Sequence, residues 1–369
     1  MNLERTYPAA GHWLLAIRRP SHASRFTPPA RVLALALFLS LTLSLFSQDV
    51  HFSQFHLSPL TLNPALAGAI DDDHRAVVNY RDQWRSFGSP FTTYAASYDL
   101  PILKGKLNGR YIGIGVNAFS DKAGKSQFGD THVGLSIAYD LLLSKRGHLT
   151  FGMNGAYGQR SAQLANLSWD SQYTGTNYDP SLPTGEAAFN EQVSYVDLAA
   201  GTLWRQELKS GAKLMLGAAV HHPHQPTVAL IGNGSDRLLL RSTVHGELIF
   251  DGGGVRWSPQ FYVSKQGGAI EAVVGTMVER RLGADSRFTT ANTSSSFQLG
   301  AFYRYADAVI PAILFDYHHM LSFGISYDIN ISSLHAQTSY QGGLEVALMY
   351  HGMLSDKRKK LKKTGTDAK

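Results

Sequence analysis

"VGLSIAY", residues 133–139, alternates strictly: Val133, Leu135, Ile137 and Tyr139 fall on one side of an extended chain, and Gly134, Ser136 and Ala138 on the other. A period of two belongs to a β-strand, because successive side chains of extended backbone point to opposite faces. The second face decides the fold. A strand of a water-soluble sandwich would carry Lys, Glu and Thr there, whereas this one carries small, uncharged groups. Apolar groups turned to lipid and small or polar groups turned to an enclosed lumen make the pattern of a membrane barrel.

The same pattern repeats outward along the chain. "LTFGMNGAY" (149–157) sets Leu149, Phe151, Met153 and Tyr157 against Thr150, Gly152, Asn154 and Ala156. "YIGIGVNAF" (111–119) sets Ile112, Ile114, Val116 and Ala118 against Gly113, Gly115 and Asn117, and "FGISYDINI" (323–331) repeats the scheme near the end. The spacing predicts fourteen strands, near 74–83, 91–100, 109–119, 128–141, 147–158, 193–205, 211–222, 237–250, 254–264, 268–281, 294–305, 309–318, 320–332 and 340–352. No window of eighteen apolar residues follows residue 47, so strands must be the spanning element. The expected fold is an all-β, antiparallel outer-membrane β-barrel of about 14 strands behind a signal peptide. Tyr98, Phe119, Tyr139, Tyr157, Trp204, Tyr303 and Tyr350, near strand ends, are expected in aromatic girdles. "FDGGGVRW" (250–257) reads as a tight turn or a break. Asp99, Asn117, Asp140, Asn154, Asp197, Asp316, Asp328 and Glu345 are expected to point inward, where spacing alone does not separate an open channel from a filled interior.

The two ends differ from this body. Residues 1–47 hold five Arg and one Glu, and "VLALALFLSLTLSLF" (32–46) is short for a helical span and suited to a signal-peptide core. The long basic stretch before it suggests a start downstream of Met1, although no second Met occurs before Met153. Residues 48–72 are expected to form a plug or periplasmic segment, 73–353 the barrel, and 354–369 a basic periplasmic tail. Without both ends the body has 22 basic and 25 acidic residues, which offers nucleic acid no basic face. The absence of cysteine excludes disulfides, thiolate metal sites and a Cys nucleophile. An even strand number puts both termini on one side, the periplasm. The short connections at 101–108, 142–147 and 206–211 join them, and the long ones at 159–192 and 223–236 face out, with 264–268 a short outer and 282–293 a longish inner exception.

Motifs that could carry chemistry are few. "HHPHQP" (221–226) lacks an acidic or fourth ligand nearby and reads as an exposed loop at a strand end rather than a metal site; "HHM" (318–320) reads as a tight turn. "FDGGG" (250–254) has no following helix or Lys to make a phosphate cradle. His245 in "VHGEL", together with the many Ser residues, is a weak hydrolase signal, for no convergent triad is evident. No catalytic, cofactor or metal residue is therefore assigned.

"QDVHFSQFHLSPLTLNPALAGA" (48–69) resembles the mature N-terminus of the PorP/SprF family, outer-membrane proteins of the type IX secretion system of Bacteroidota. Gln48, Asp49, Phe52, Ser53, Gln54, Pro59, Leu60, Asn63, Pro64, Ala65, Ala67 and Gly68 match its pattern, with Phe55 in place of the usual Tyr. "NYRDQW" is similar to the next family block, through Tyr80, Arg81, Gln83 and Trp84, and "YAASYDLP" to the turn that carries Asp99. "DPSLPTGE", "HHPHQP", "GAFYRYADAVIPAILFDY" with Asp307, "SFGISYDINISSL" with Ser326, Tyr327, Asp328 and Asn330, and "GGLEVALMY" follow in family order. The chain departs at its overlong N-terminus, at Val50 where the family prefers Pro, and in its basic tail. The resemblance implies a non-enzymatic barrel without cofactors that helps particular cargo proteins reach or stay on the cell surface, large gliding adhesins among them. Its implied partners are outer-membrane lipid, motor-linked periplasmic or lipoprotein ring components, and the cargo itself. The competing expectation is a channel for a small or hydrophobic solute, of fatty-acid-transporter type.

Overall fold

The computed structural model describes residues 49–352 except 86–89, 108–109, 164–166, 186–189, 231–233, 284–293 and 334. The expected leader, Gln48 and the basic tail lie outside the described residues. Fourteen strands follow in order: β1 (His74–Gln83), β2 (Phe91–Leu107), β3 (Arg110–Ala123), β4 (Gly129–Ser144), β5 (Gly147–Ser161), β6 (Gln192–Glu207), β7 (Lys213–His221), β8 (Arg241–Gly252), β9 (Val255–Gln266), β10 (Ala269–Leu282), β11 (Ser295–Arg304), β12 (Ala308–Tyr317), β13 (Leu321–Asn330) and β14 (Gln341–Gly352). Each pairs antiparallel with its neighbour in sequence, and β14 pairs with β1 (Asn79↔Ala347) to close the barrel. Closure leaves no strand edge, so every ladder is satisfied from within the chain. No described helix is long and apolar enough to cross a membrane.

The alternation in the sequence becomes inside and outside. On β4, Leu135 and Ile137 are 67% and 59% exposed while Ser136 and Ala138 are buried. The apolar side chains are thus on the outer wall, as lipid demands, and the small ones face the lumen. Tyr98, Tyr139, Tyr157, Trp204, Tyr303 and Tyr350 are exposed on that wall. Phe119 is not among them: it shares the odd register of Gly115 and Asn117, and its ring stacks at 4.8 Å on His132. "FDGGG" is a tight turn between β8 and β9, where Gly253 and Gly254 both take positive φ (64° and 81°), a conformation glycine adopts without a Cβ clash. The stretch 101–107, expected as a connection, extends β2, because Pro101 and Ile102 still pair with β3 before a register shift near Leu103.

One end of the barrel carries the start of β1, the end of β14 and the connections 145–146, 208–212, 253–254 and 318–320. The other carries the long connections 162–191 and 222–240. Residues 49–72 run through the lumen between these ends as two 3-10 turns (Phe55–Leu57 and Pro64–Leu66) around a helical turn (Pro59–Leu62). Asp49 contacts Gln266 and Arg241 at the long-loop end, while Asp73 donates its N–H to the Gly352 carbonyl at the other. Strand parity therefore fixes the end at which β1 starts and not the position of Asp49. The expected shared side for both termini does not hold for the first described residue, because the segment before β1 crosses the lumen.

Candidate functional site: a plug locked into the lumen

Pro59, at the first position of its turn, and Pro64, at the first position of the next, suit helical starts because neither has an N–H to lose. Asn63 lies between them and caps the second turn by accepting the Ala65 N–H at 2.9 Å. Its amide also points outward from the segment, donating to the Thr202 carbonyl (3.0 Å) and to His245 Nε2 (3.1 Å). One buried side chain thus folds the plug and fastens it to β6 and β8. His245 is buried against the plug and not on the lipid face where the hydrolase signal would have needed it.

Toward the long-loop end the plug is held by charge. The Glu345 carboxylate accepts the backbone N–H groups of Ser53 (2.7 Å) and Gln54 (2.9 Å). Ser53 Oγ donates to Asp328 (2.7 Å), and Asp328 in turn meets Arg81 (3.1 Å) and Arg304 (2.9 Å). Arg304 also reaches Glu271 and Asp307, and Arg81 donates to the His51 carbonyl at 2.6 Å. Buried ions survive only when paired and hydrogen-bonded, and here each pairing includes or abuts plug backbone. At the far end Asp99 repeats the device: it takes Arg75 through two bonds (2.9 and 3.0 Å) and the Gly68 N–H at 2.8 Å.

His222 is the largest departure from the sequence reading. It is buried, not exposed, with Nδ1 2.7 Å from Asp197 and Nε2 2.5 Å from Asp49. Burial works against its charge, but Asp49 and Asp197 outweigh it and raise the imidazole to about 9. Burial likewise pushes the Asp49 carboxyl up, and His222 and Arg241 overcome this to hold it well below the usual range. Among the described residues no group of three His, Asp or Glu side chains is placed to hold a metal ion.

The apolar share of the docking is contributed by Phe55, which stacks on Tyr262 (5.5 Å) and meets Phe302 edge-on (6.1 Å). Small residues admit the rest. A Cβ at Gly113 would stand 1.9 Å from the Ala67 carbonyl oxygen, at Gly152 2.3 Å from Ala65 N, and at Gly201 2.1 Å from Asn63 Oδ1. These lumen glycines let three strands approach the plug backbone more closely than any side chain would allow.

The structure accordingly gathers Asp49, Phe52, Ser53, Gln54, Phe55, Asn63, Pro64, Gly68, Arg81, Asp99 and Asp328 into or against the plug, and Asp307 joins them only through Arg304. Others lie apart. Tyr80 bonds Asp82 and packs near Tyr94, Trp84 meets Phe91 edge-on beyond the end of β1, and Tyr327 is exposed on the outer wall. Gln83 ends β1, Asn330 holds Ser332 and Thr338 locally, and the buried Ser326 hydroxyl has no partner. Arg75, Arg304 and Arg241 were not singled out from the sequence, and His222 was noted there only within an exposed-loop motif. Their inward register was the available signal.

An antiparallel fourteen-stranded wall, apolar outside and closed on a segment of its own chain, defines a multi-span outer-membrane β-barrel with an internal plug. The family model described as "Type IX secretion system membrane protein PorP/SprF" matches residues 44–350, and the chain belongs to that family. A search of curated proteins gives no match. Among solved structures, the chain is similar to a deletion mutant of the TodX monoaromatic hydrocarbon channel (TM-score 0.46, 10% identity, covering 81% of this chain and 94% of that one). It is also similar to the CymD monoaromatic hydrocarbon channel (0.44, 9%, 81% and 93%) and a Pseudomonas aeruginosa FadL homologue (0.43, 10%, 78% and 92%).

Proposed function

We propose that this barrel is a non-enzymatic component of type IX secretion that assists the secretion or surface attachment of specific cargo, of the gliding-adhesin type. The observation that supports this best is the locked plug, together with family membership. A lumen occupied by its own chain, with buried carboxylates and arginines committed to that chain, suits a scaffold better than a solute pore. On this reading the long connections face outward and meet cargo. The short-turn end and the tail face the periplasm and the motor-linked or lipoprotein ring components, and the leader is removed before Gln48. The test is quantitative proteomics of outer membrane and medium from a deletion strain. Selective loss of one or a few surface proteins that carry type IX signals, with other cargo unchanged, is expected. An unchanged secretome accompanied by lost uptake of a small or hydrophobic solute would overturn the proposal in favour of a channel.

A further inference from the structure

The basic residues of the barrel are not spread evenly. The three consecutive connections at the short-turn end of β2 to β7, residues 104–110, 144–147 and 206–213, hold seven Lys or Arg and one acid, Glu207. The long connections on the same strands, 124–128, 162–191 and 222–240, hold two bases and five acids. Strands β2 to β7 are therefore polarised along the barrel axis, with Asp71–Asp73 before β1 as acids at the same end, of which Asp71 meets Lys213.

Two features separate this arc of charge from an ordinary solvated rim. First, Lys106, Lys145, Arg146 and Lys209 are exposed, and no described carboxylate pairs with them, in contrast to the inward arginines, which are all engaged. Second, each connection places its cations beside exposed apolar side chains: Leu103 before Lys104, Leu143, in the outward register of Leu135 and Ile137, before Lys145 and Arg146, and Leu208 before Lys209. An acidic protein surface would have no use for leucines at that level. A bilayer has, because the leucines lie in the acyl boundary and the flexible cationic side chains reach the headgroup phosphates just beyond it.

We propose that the arc formed by the connections β2–β3, β4–β5 and β6–β7 is a binding surface for anionic phospholipid headgroups of the leaflet at the short-turn end. It selects these lipids from the surrounding bilayer and fixes the depth and tilt of the taller wall, β2 to β6. The surface is independent of the cargo reading, since Lys106, Lys145, Arg146 and Lys209 touch no plug residue and no long loop, while Lys104 and Lys213 are held by Ile70 and Asp71 at the end of the plug.

The test uses the full mature barrel in nanodiscs of phosphatidylcholine with and without phosphatidylglycerol, reading co-retained lipid by native mass spectrometry and unfolding by loss of heat-modifiable mobility. The wild type should enrich phosphatidylglycerol and unfold at a higher temperature when it is present. Each cation within reach of a charged surface changes occupancy by about fivefold, so the triple variant K145E/R146E/K209E should lose the enrichment by roughly a hundredfold. It should unfold like the wild type in phosphatidylcholine alone, which shows that its barrel is intact. The triple variant K145R/R146K/K209R should restore enrichment, and K125E at the opposite mouth should leave it unchanged. Absence of any phosphatidylglycerol preference in the wild type overturns the proposal. So does a preference that survives charge reversal, or one that persists at high salt, where exposed charges are screened.

Discussion

Replacing Gly152 by Val is the sharpest test of the plug. The Cβ would meet Ala65 N at 2.3 Å, Ala65 Cα at 2.5 Å and Pro64 C at 2.5 Å, all backbone or backbone-adjacent atoms that no rotamer change can move. Ordinary contact begins near 3.4 Å, so the plug must retreat by about 1 Å. That retreat takes the Asn63 bonds to Thr202 and His245, now 3.0 and 3.1 Å, beyond hydrogen-bonding range. Two lost bonds at about 1 kcal/mol each and an overpacking cost of about 1–3 kcal/mol give roughly 3–5 kcal/mol against docking. About 4 kcal/mol moves the docked-to-free ratio by roughly a thousandfold. The absence of cysteine makes the readout direct. Ser58, buried and bonded only to Thr61 within the plug, accepts a cysteine with little change of shape. In the parent, S58C should resist a water-soluble maleimide, and in G152V it should label rapidly while the barrel stays folded. Gly155 supplies the control: it lies on the outer wall, its Cβ would meet only Leu198 at 4.0 Å, and G155V should label like the parent. Protection of S58C in a folded G152V barrel would refute the reasoning.

Further outcomes follow from the same geometry. Asp99→Asn leaves Arg75 buried without a counter-ion and should destabilise the fold by about 3–5 kcal/mol, read as a lower temperature of heat modifiability. The His222 imidazole is raised from 6.5 to about 9, so its contribution is complete below about pH 6.5 and lost as pH rises through 9. Labelling of a cysteine at Val50 should increase over that interval, and His222→Gln should flatten the dependence. Phe55→Ala removes a stack on Tyr262 and an edge contact with Phe302 and should cost about 3–5 kcal/mol of plug docking, raising S58C labelling at neutral pH. Asn63→Ala with Pro64→Ala should leave barrel insertion intact while cargo display falls; loss of the folded barrel in that variant would assign the pair a structural role alone.

The wall was legible because its signal is local. A strand reports its two faces every other residue, and "VGLSIAY" needs no distant partner to show that one face is greasy and the other small. Strand number, the tight turns at Gly253–Gly254 and His318–His319, and the inward setting of Asp99, Asp328 and Glu345 all come from that periodicity. Phe119 shows how strictly it applies: a place in the girdle ignored its own register, which sets it with Asn117 on the lumen side.

What residues 48–72 do was not legible in the same way. The sequence carried a plug and a periplasmic segment as equal readings, because a short run with prolines and no period has no face of its own. Tertiary structure decided between them through partners that lie far along the chain. Asn63 meets Thr202 and His245, Ser53 meets Asp328 and Glu345, and Asp49 meets His222. These contacts require the closed barrel, which brings β6, β8, β13 and β14 around one axis, so no local pattern records them. The sequence by itself determined a membrane barrel with an apolar outer face. Folding in three dimensions decided that its lumen is filled, by which segment, and through which buried charges, since a buried ion's partner is set by closure of the barrel and not by spacing along the chain.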